Sequence, residues 1–300
     1  MTTVEQVEFE SAGLTLRGKM YRPEGAGSFP AIVLTHGYAF VVAFFDHHNY
    51  PAFLAEQGFV TLAYDHPHTG LSDGVPRQEL DPIAQQRAYS DAITFLSTQR
   101  DVDGERIGIW GTSYSGGHVL AVGAADPRVR CVVAQTPTIN GRRNLRHRLS
   151  DAGLIEQQHA WSMDRLGRAQ GLPPRTVPAG SSATEEYVSS LPQGTRAGYH
   201  PFVTLRSQEW YFSYVPGTAM RDVAPTPLLV ILVENDTITP AADARSVFYE
   251  AGEPKVLLEL AGEHFDVYGH LYVTCAVAAA NWFRQYLRPM QDAPARGDLQ

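Results

Sequence analysis

Cysteine and lysine are both scarce in this 300-residue chain, with two cysteines and a single lysine at each of positions 19 and 255. Cys131 and Cys275 each sit in an apolar run and show no CxxC spacing, which excludes a disulfide scaffold and reads as buried free thiols in a reducing compartment. The net charge is −8 and almost every basic residue is arginine, so no broad positive field exists to hold a phosphate backbone. Nucleic acid is not an expected partner. No apolar stretch approaches the roughly 18 residues of a membrane helix. The opening MTTVEQVEFE lacks the basic and apolar regions of a signal peptide, so the expectation is a cytoplasmic protein without a membrane partner. Glycine and proline, 26 and 20 residues, stay below the level of collagen-like or low-complexity sequence. A chain this long buries roughly 75% of its unfolded surface and needs no staple.

Two alternating segments, Val4–Ser11 and Leu14–Tyr21, flank Gly13 and predict an antiparallel hairpin. The pattern then changes to short continuous apolar runs at 30–35, 59–64, 106–110, 129–134, 227–233 and 256–260. Such runs suit strands buried on both faces of a parallel sheet. Helix-like segments lie between them at 51–57, 83–99, 114–125, 241–251 and 268–287. Alternation of this kind predicts an α/β fold with a mostly parallel sheet. One connection breaks the rhythm, because Thr136 to Asp222 is too long for an ordinary crossover. It carries helical pieces at 145–170 and 185–191, a Gly/Pro/Ser-rich middle at 171–182 and the aromatic run Trp210–Tyr214. The expected organisation is a core of 1–135 and 223–288, an inserted helical cap of 136–222, and a disordered tail of 289–300.

The segment Arg106 to His118 reads RIGIWGTSYSGGH and resembles the strand–elbow–helix of α/β-hydrolases, where a sharp turn lifts a serine above the sheet. Gly111 stands two residues before Ser113, whereas the position two after it, normally glycine, is Ser115. A second register with Ser115 at the apex is disfavoured, because the strand ends just before Gly111. A carboxylate, Asp236, follows the apolar run 228–233, and His264 follows 257–260. Ser113, Asp236 and His264 therefore each come directly after a core strand, and strand C-termini of an open parallel sheet share one edge. A serine hydroxyl needs an imidazole to take its proton, and a carboxylate orients that imidazole. Glu234, Asp222 and Asp266 are rivals for the acid.

Together with His36-Gly37, the loop from Asp65 to Gly74, and Gly262 to Asp266, these pieces make the chain similar to α/β-hydrolase superfamily serine hydrolases of the dienelactone-hydrolase-like, cocaine-esterase-like type. The resemblance implies hydrolysis of an ester, thioester or lactone of a medium-sized organic substrate, with no cofactor. It also implies an oxyanion hole from the backbone N–H groups of Tyr114 and Tyr38. In the cocaine-esterase and X-prolyl peptidase branch a tyrosine hydroxyl takes the second part, so the Tyr38 phenol is an alternative. The same site could serve carbon–carbon hydrolysis, acyl transfer or a lyase-like reaction, or a silent binding protein could retain the fold. Asp65-His66-Pro67-His68 departs from the relatives' pattern and, with Asp46-His47-His48, gathers histidines and aspartates near one edge. Imidazole and carboxylate are zinc ligands, but the serine constellation already supplies a mechanism and no metal is expected. Within the cap, Trp161, Trp210, Tyr211, Arg142 and Arg146 are the expected substrate contacts, as an apolar wall with an arginine for a substrate carboxylate. The expected partner is a small-molecule substrate, with a homodimer left open.

Overall fold

Thr3–Ser11 (β1) and Leu14–Arg22 (β2) pair antiparallel around Ala12 and Gly13, whose φ angles of 49° and 81° suit a two-residue hairpin turn. In the computed structural model, which describes residues 2–196 and 198–287, this hairpin is the edge of an eight-stranded sheet. The tail expected at 289–300 lies outside the described residues. Apolar runs supply the next strands, Phe29–Thr35 (β3), Val60–Tyr64 (β4), Val102–Thr112 (β5) and Val129–Gln135 (β6). A separate two-stranded ribbon, Thr176–Pro178 (β7) with Phe202–Thr204 (β8), precedes Leu228–Val233 (β9) and Lys255–Leu260 (β10). The order is β1-β2-β4-β3-β5-β6-β9-β10, antiparallel as far as β4 and parallel from there on. The fold is thus the mostly parallel α/β architecture the strand pattern predicts.

The helices are Phe45–His48 (α1), Tyr50–Glu56 (α2), Pro82–Ser97 (α3), Tyr114–Ala125 (α4), Gly141–Arg148 (α5), Asp151–Ala169 (α6), Ser182–Ser190 (α7), Leu205–Ser213 (α8), Ala241–Phe248 (α9) and Tyr272–Tyr286 (α10). One sheet face is closed by α3, α4 and α9, through Tyr89, Ile93, Val119 and Phe248. The other is closed by α2 and α10, through Leu54, Ala276 and Phe283. Local sequence sets the start of α3: the Asp81 carboxylate accepts from the N–H groups of Ile83 and Ala84, and Pro82 needs no acceptor.

The segment 136–222 leaves after β6 and returns before β9, which lies beside β6 with Val132 opposite Leu228. The single helix expected over 145–170 is broken. Leu149 is extended, and the Ser150 hydroxyl accepts from Gly153 N–H at 3.1 Å, restarting the chain as α6. Among the described residues no helix is long and apolar enough to cross a membrane.

Candidate active site

β5 runs to Thr112, two residues beyond its expected end, because Gly111 and Thr112 still pair with Ala134 and Gln135 of β6. The chain then reverses at once. Ser113 has φ 56° and ψ −114°, a conformation rare for a residue with a side chain, and α4 begins at Tyr114. The turn is pinned on both sides: Ser113 N–H donates to Gln135 O at 2.9 Å, and Ser113 O accepts from Thr138 N–H at 2.8 Å. Gly111 is required by packing, since a Cβ there would lie 2.2 Å from Ser115 O. At Gly37, after β3, a Cβ would come within 3.0 Å of the Ser113 Cβ.

Beyond β10, His264 places Nε2 3.0 Å from Ser113 Oγ and Nδ1 2.7 Å from Asp236 Oδ2. An ionised carboxylate only accepts, so Nδ1 carries the hydrogen and Nε2 is free to accept from the serine hydroxyl. Asp236 is fixed in turn: Oδ1 accepts from the N–H groups of Ile238 and Thr239 at 2.8 and 2.7 Å, and the Thr239 hydroxyl lies 2.8 Å from Oδ2. Burial alone would raise the Asp236 pKa. His264 and the Thr239 hydrogen bonds outweigh it and hold the carboxyl below its usual range. Of the rival acids, Glu234 is exposed, Asp222 ends a short 3₁₀ turn before β9, and Asp266 accepts from the Glu263 N–H at 2.7 Å.

The Tyr114 N–H lies in the first turn of α4, where amides have no intrahelical acceptor, and the Tyr38 N–H has no partner among the described residues. Tyr114 follows Ser113 directly, and Tyr38 lines the same cavity. The Tyr38 phenol is buried and unpartnered, and its ring packs edge-on to Tyr114 and Tyr211 at 5.1 and 5.4 Å. Burial raises this phenol's pKa far above its usual value, Tyr211 adds to the rise, and Arg148 offsets part of it.

A cavity of about 250 Å³ opens over Ser113 and His264, walled by Phe40, Leu149 and Phe265 and by residues of the insertion. Tyr211 lines it as expected from sequence. The other four expected contacts lie elsewhere, because helix packing directs them away. Trp161 is buried against Phe212 at 5.2 Å, and Arg142 stacks over the same ring at 4.7 Å. Trp210 carries the Arg206 guanidinium at 4.8 Å, and Arg146 is exposed on α5. Arg148, Gln208 and the turn 178–181 line the cavity instead.

The histidines form no single cluster. His47 is exposed, His48 is buried against Tyr268, and His68 Nδ1 lies 2.9 Å from Pro76 O. His66 turns inward, with Nε2 3.0 Å from Ser115 Oγ and its ring packed on those of His36 and His118. Asp46 pairs with Lys19, while Asp65 accepts from the amides of Val42 and Leu71. Among the described residues no group of three His, Cys, Asp or Glu could hold a metal ion. Burial drives the His66 pKa well below its usual value and the His118 pKa to about 3, with His36 lowering both further.

The family description that matches residues 12–209 is X-Pro dipeptidyl-peptidase (S15 family). A thiohydrolase of Eupenicillium brefeldianum is 32% identical over 280 residues, covering 88% of each chain. The acyltransferase drtE of Aspergillus calidoustus is 28% identical over 273 residues, 86% of each chain. The crystal structure of the α/β hydrolase GrgF from Penicillium sp. sh18 has a TM-score of 0.83 at 24% identity, over 95% of this chain and 99% of that one. This chain is therefore an α/β-hydrolase enzyme that belongs to the X-Pro dipeptidyl-peptidase (S15) family and is of the hydrolase and acyltransferase type.

Proposed function

We propose that the enzyme cleaves an ester, thioester or lactone of a medium-sized organic substrate through an acyl-enzyme on Ser113. The hydrogen-bonded series Ser113–His264–Asp236 beneath an apolar cavity carries this reading. His264 Nε2 takes the hydroxyl proton as Oγ attacks the substrate carbonyl carbon. The N–H groups of Tyr38 and Tyr114 hold the oxygen as it becomes negative. As the tetrahedral adduct collapses, His264 returns the proton to the departing alcohol or thiol. Water, deprotonated by His264, then attacks the acyl carbon and releases the acid. Asp236 keeps the imidazole in the required tautomer and balances its charge. In this reading the segment 136–222 is the cap that completes the pocket.

A thiohydrolase as relative favours thioesters among the candidate bonds. An acyltransferase as relative supports a second reading, in which an alcohol or amine displaces water in the last step. The test is intact mass after a fluorophosphonate probe, on wild type, Ser113→Ala and Ser115→Ala. The expected result is one adduct on wild type and Ser115→Ala and none on Ser113→Ala. An adduct that survives Ser113→Ala would overturn the assignment. In H₂¹⁸O, hydrolysis puts the label in the acid product, whereas transfer to an added alcohol yields unlabelled ester.

A further inference from the structure

The cavity over Ser113 has walls of one electrical character and a single exception. Among the residues that line it there is no aspartate or glutamate, and apart from His264 the one ionisable base is Arg148. Asp236 does not line the cavity; it lies behind His264, and its oxygens already meet Ile238 N, Thr239 N, Thr239 Oγ1 and His264 Nδ1. Arg148 is the last residue of α5, where its Nε donates to Asn144 O at 3.1 Å. Arg148 is itself exposed, and that contact leaves the two terminal nitrogens of its guanidinium with no carboxylate among the described residues.

On the same helix Arg143 pairs with Asp243, while Arg142 and Arg146, like Arg148, meet no carboxylate among the described residues; of these three only Arg148 lines the cavity. The Tyr38 phenol lines the same cavity, its hydroxyl buried and unpartnered and its ring 5.4 Å from that of Tyr211. The Tyr211 hydroxyl accepts from Asn144 Nδ2 at 2.8 Å, so the residue that anchors the Arg148 side chain also orients Tyr211. Tyr38 thus shares the cavity with Ser113 and Arg148, and is linked towards Arg148 through the Tyr211 ring and Asn144. A buried hydroxyl without a partner is costly unless a ligand supplies one.

We infer that Arg148, with the Tyr38 hydroxyl, is a specificity-determining site for an anionic oxygen group, a carboxylate or its equivalent, carried by the substrate apart from the scissile carbonyl. This rests on the acyl-enzyme reading only for where the scissile bond lies; the anion site stands on its own residues. It also sets this pocket apart from one that holds a dipeptidyl substrate. A free peptide N-terminus is an ammonium, and a guanidinium with no facing carboxylate repels it.

The deciding measurement is calorimetric binding of monomethyl glutarate and of dimethyl glutarate to the Ser113→Ala protein, which cannot turn either over. The anionic ligand is expected to bind about tenfold or more tightly than its neutral isostere, the scale of one charge-assisted bidentate contact. Arg148→Gln on that background should erase the preference, and Arg148→Lys should restore part of it. Arg143→Gln, which removes a charge from the same helix away from the cavity, should leave the ratio within about twofold, as expected for a screened surface charge. Equal affinity for the two ligands, or a preference that survives Arg148→Gln, overturns the proposal.

Turnover then locates the anion. The first pair is 4-nitrophenyl hydrogen glutarate and its methyl ester, and the second is S-acetyl-3-mercaptopropionate and its methyl ester. A ratio of kcat/KM that collapses in Arg148→Gln for the first pair places the anion on the acyl side, and for the second on the leaving group. Preferred cleavage of Gly-Pro-4-nitroanilide would overturn the proposal. Anion binding without any turnover or fluorophosphonate adduct would sink the serine chemistry and leave the anion site standing.

Discussion

Two serine–histidine pairs lie two residues apart on the same elbow, and both are 3.0 Å long. Ser113 meets His264 at the floor of the cavity, and Ser115 meets His66 beneath it. The difference lies in what surrounds each imidazole. His264 has a carboxylate on its far nitrogen, whereas the far nitrogen of His66 is buried without a partner and its ring packs edge-on against two other imidazoles. A proton taken by His264 is balanced by Asp236; one taken by His66 would be an isolated charge in an apolar interior. Ser113 also sits at the strained apex, while Ser115 is fully buried inside α4. A short Ser–His contact is therefore insufficient to define a nucleophile. Access to the cavity and the third group are what favour Ser113 in the proposed reading.

Replacing the outer serine should separate the pairs most sharply. Ser113→Ala is expected to lower kcat by about 10⁵-fold or more, read in a burst-free single-turnover assay. Next comes the third group: Asp236→Asn should cost about 10⁴-fold in kcat by releasing the wrong tautomer of His264, with the folded state intact by circular dichroism. A much smaller loss would mean that Thr239 alone orients the ring.

The inner imidazoles should speak through stability. His118 and His48 are held neutral down to about pH 3 by burial, against about 6.5 when exposed. Above pH 6.5 neither form of the chain binds these protons, and on acidification the unfolded chain takes them first. Stability is therefore undiminished above about pH 6.5 and falls as pH drops towards 3, by about 2 kcal/mol per histidine at pH 5. Urea unfolding at pH 7 and pH 5 measures this, and an unchanged midpoint would contradict it. Ser115→Ala should give the smallest effect, kcat within about threefold and a stability loss of about 1–2 kcal/mol from the unsatisfied His66 nitrogen.

The outer pair was readable from residue order because each member follows an apolar run, and parallel strands end at one edge. The inner pair left only two irregularities in the sequence: Ser115 where relatives carry glycine, and His66-Pro67 after the second core strand. Each looked like a separate departure, and only the fold brings the two side chains together. The pocket wall was least legible. Trp161 and Arg142 have the composition of a binding surface, but both spend it on Phe212. The wall instead includes Pro178 to Ser181, whose position is set by pairing of β7 with β8 across more than twenty residues. Arg148 lies in a basic run whose members are alike in sequence, and only the fold sets Arg148 on the cavity, Arg142 on Phe212 and Arg143 on Asp243.

The segment 136–222 departs from β6 and rejoins at β9, and those two strands are hydrogen-bonded neighbours. Its two ends therefore meet the sheet at one place, as the ends of a surface loop do. Its content is nonetheless tied to the core: Thr138 N–H donates to Ser113 O, the Tyr214 hydroxyl meets His118 Nδ1, and Ile139 and Met220 sit in the main apolar cluster. A change in the wall of the pocket is therefore also a change in what holds the elbow.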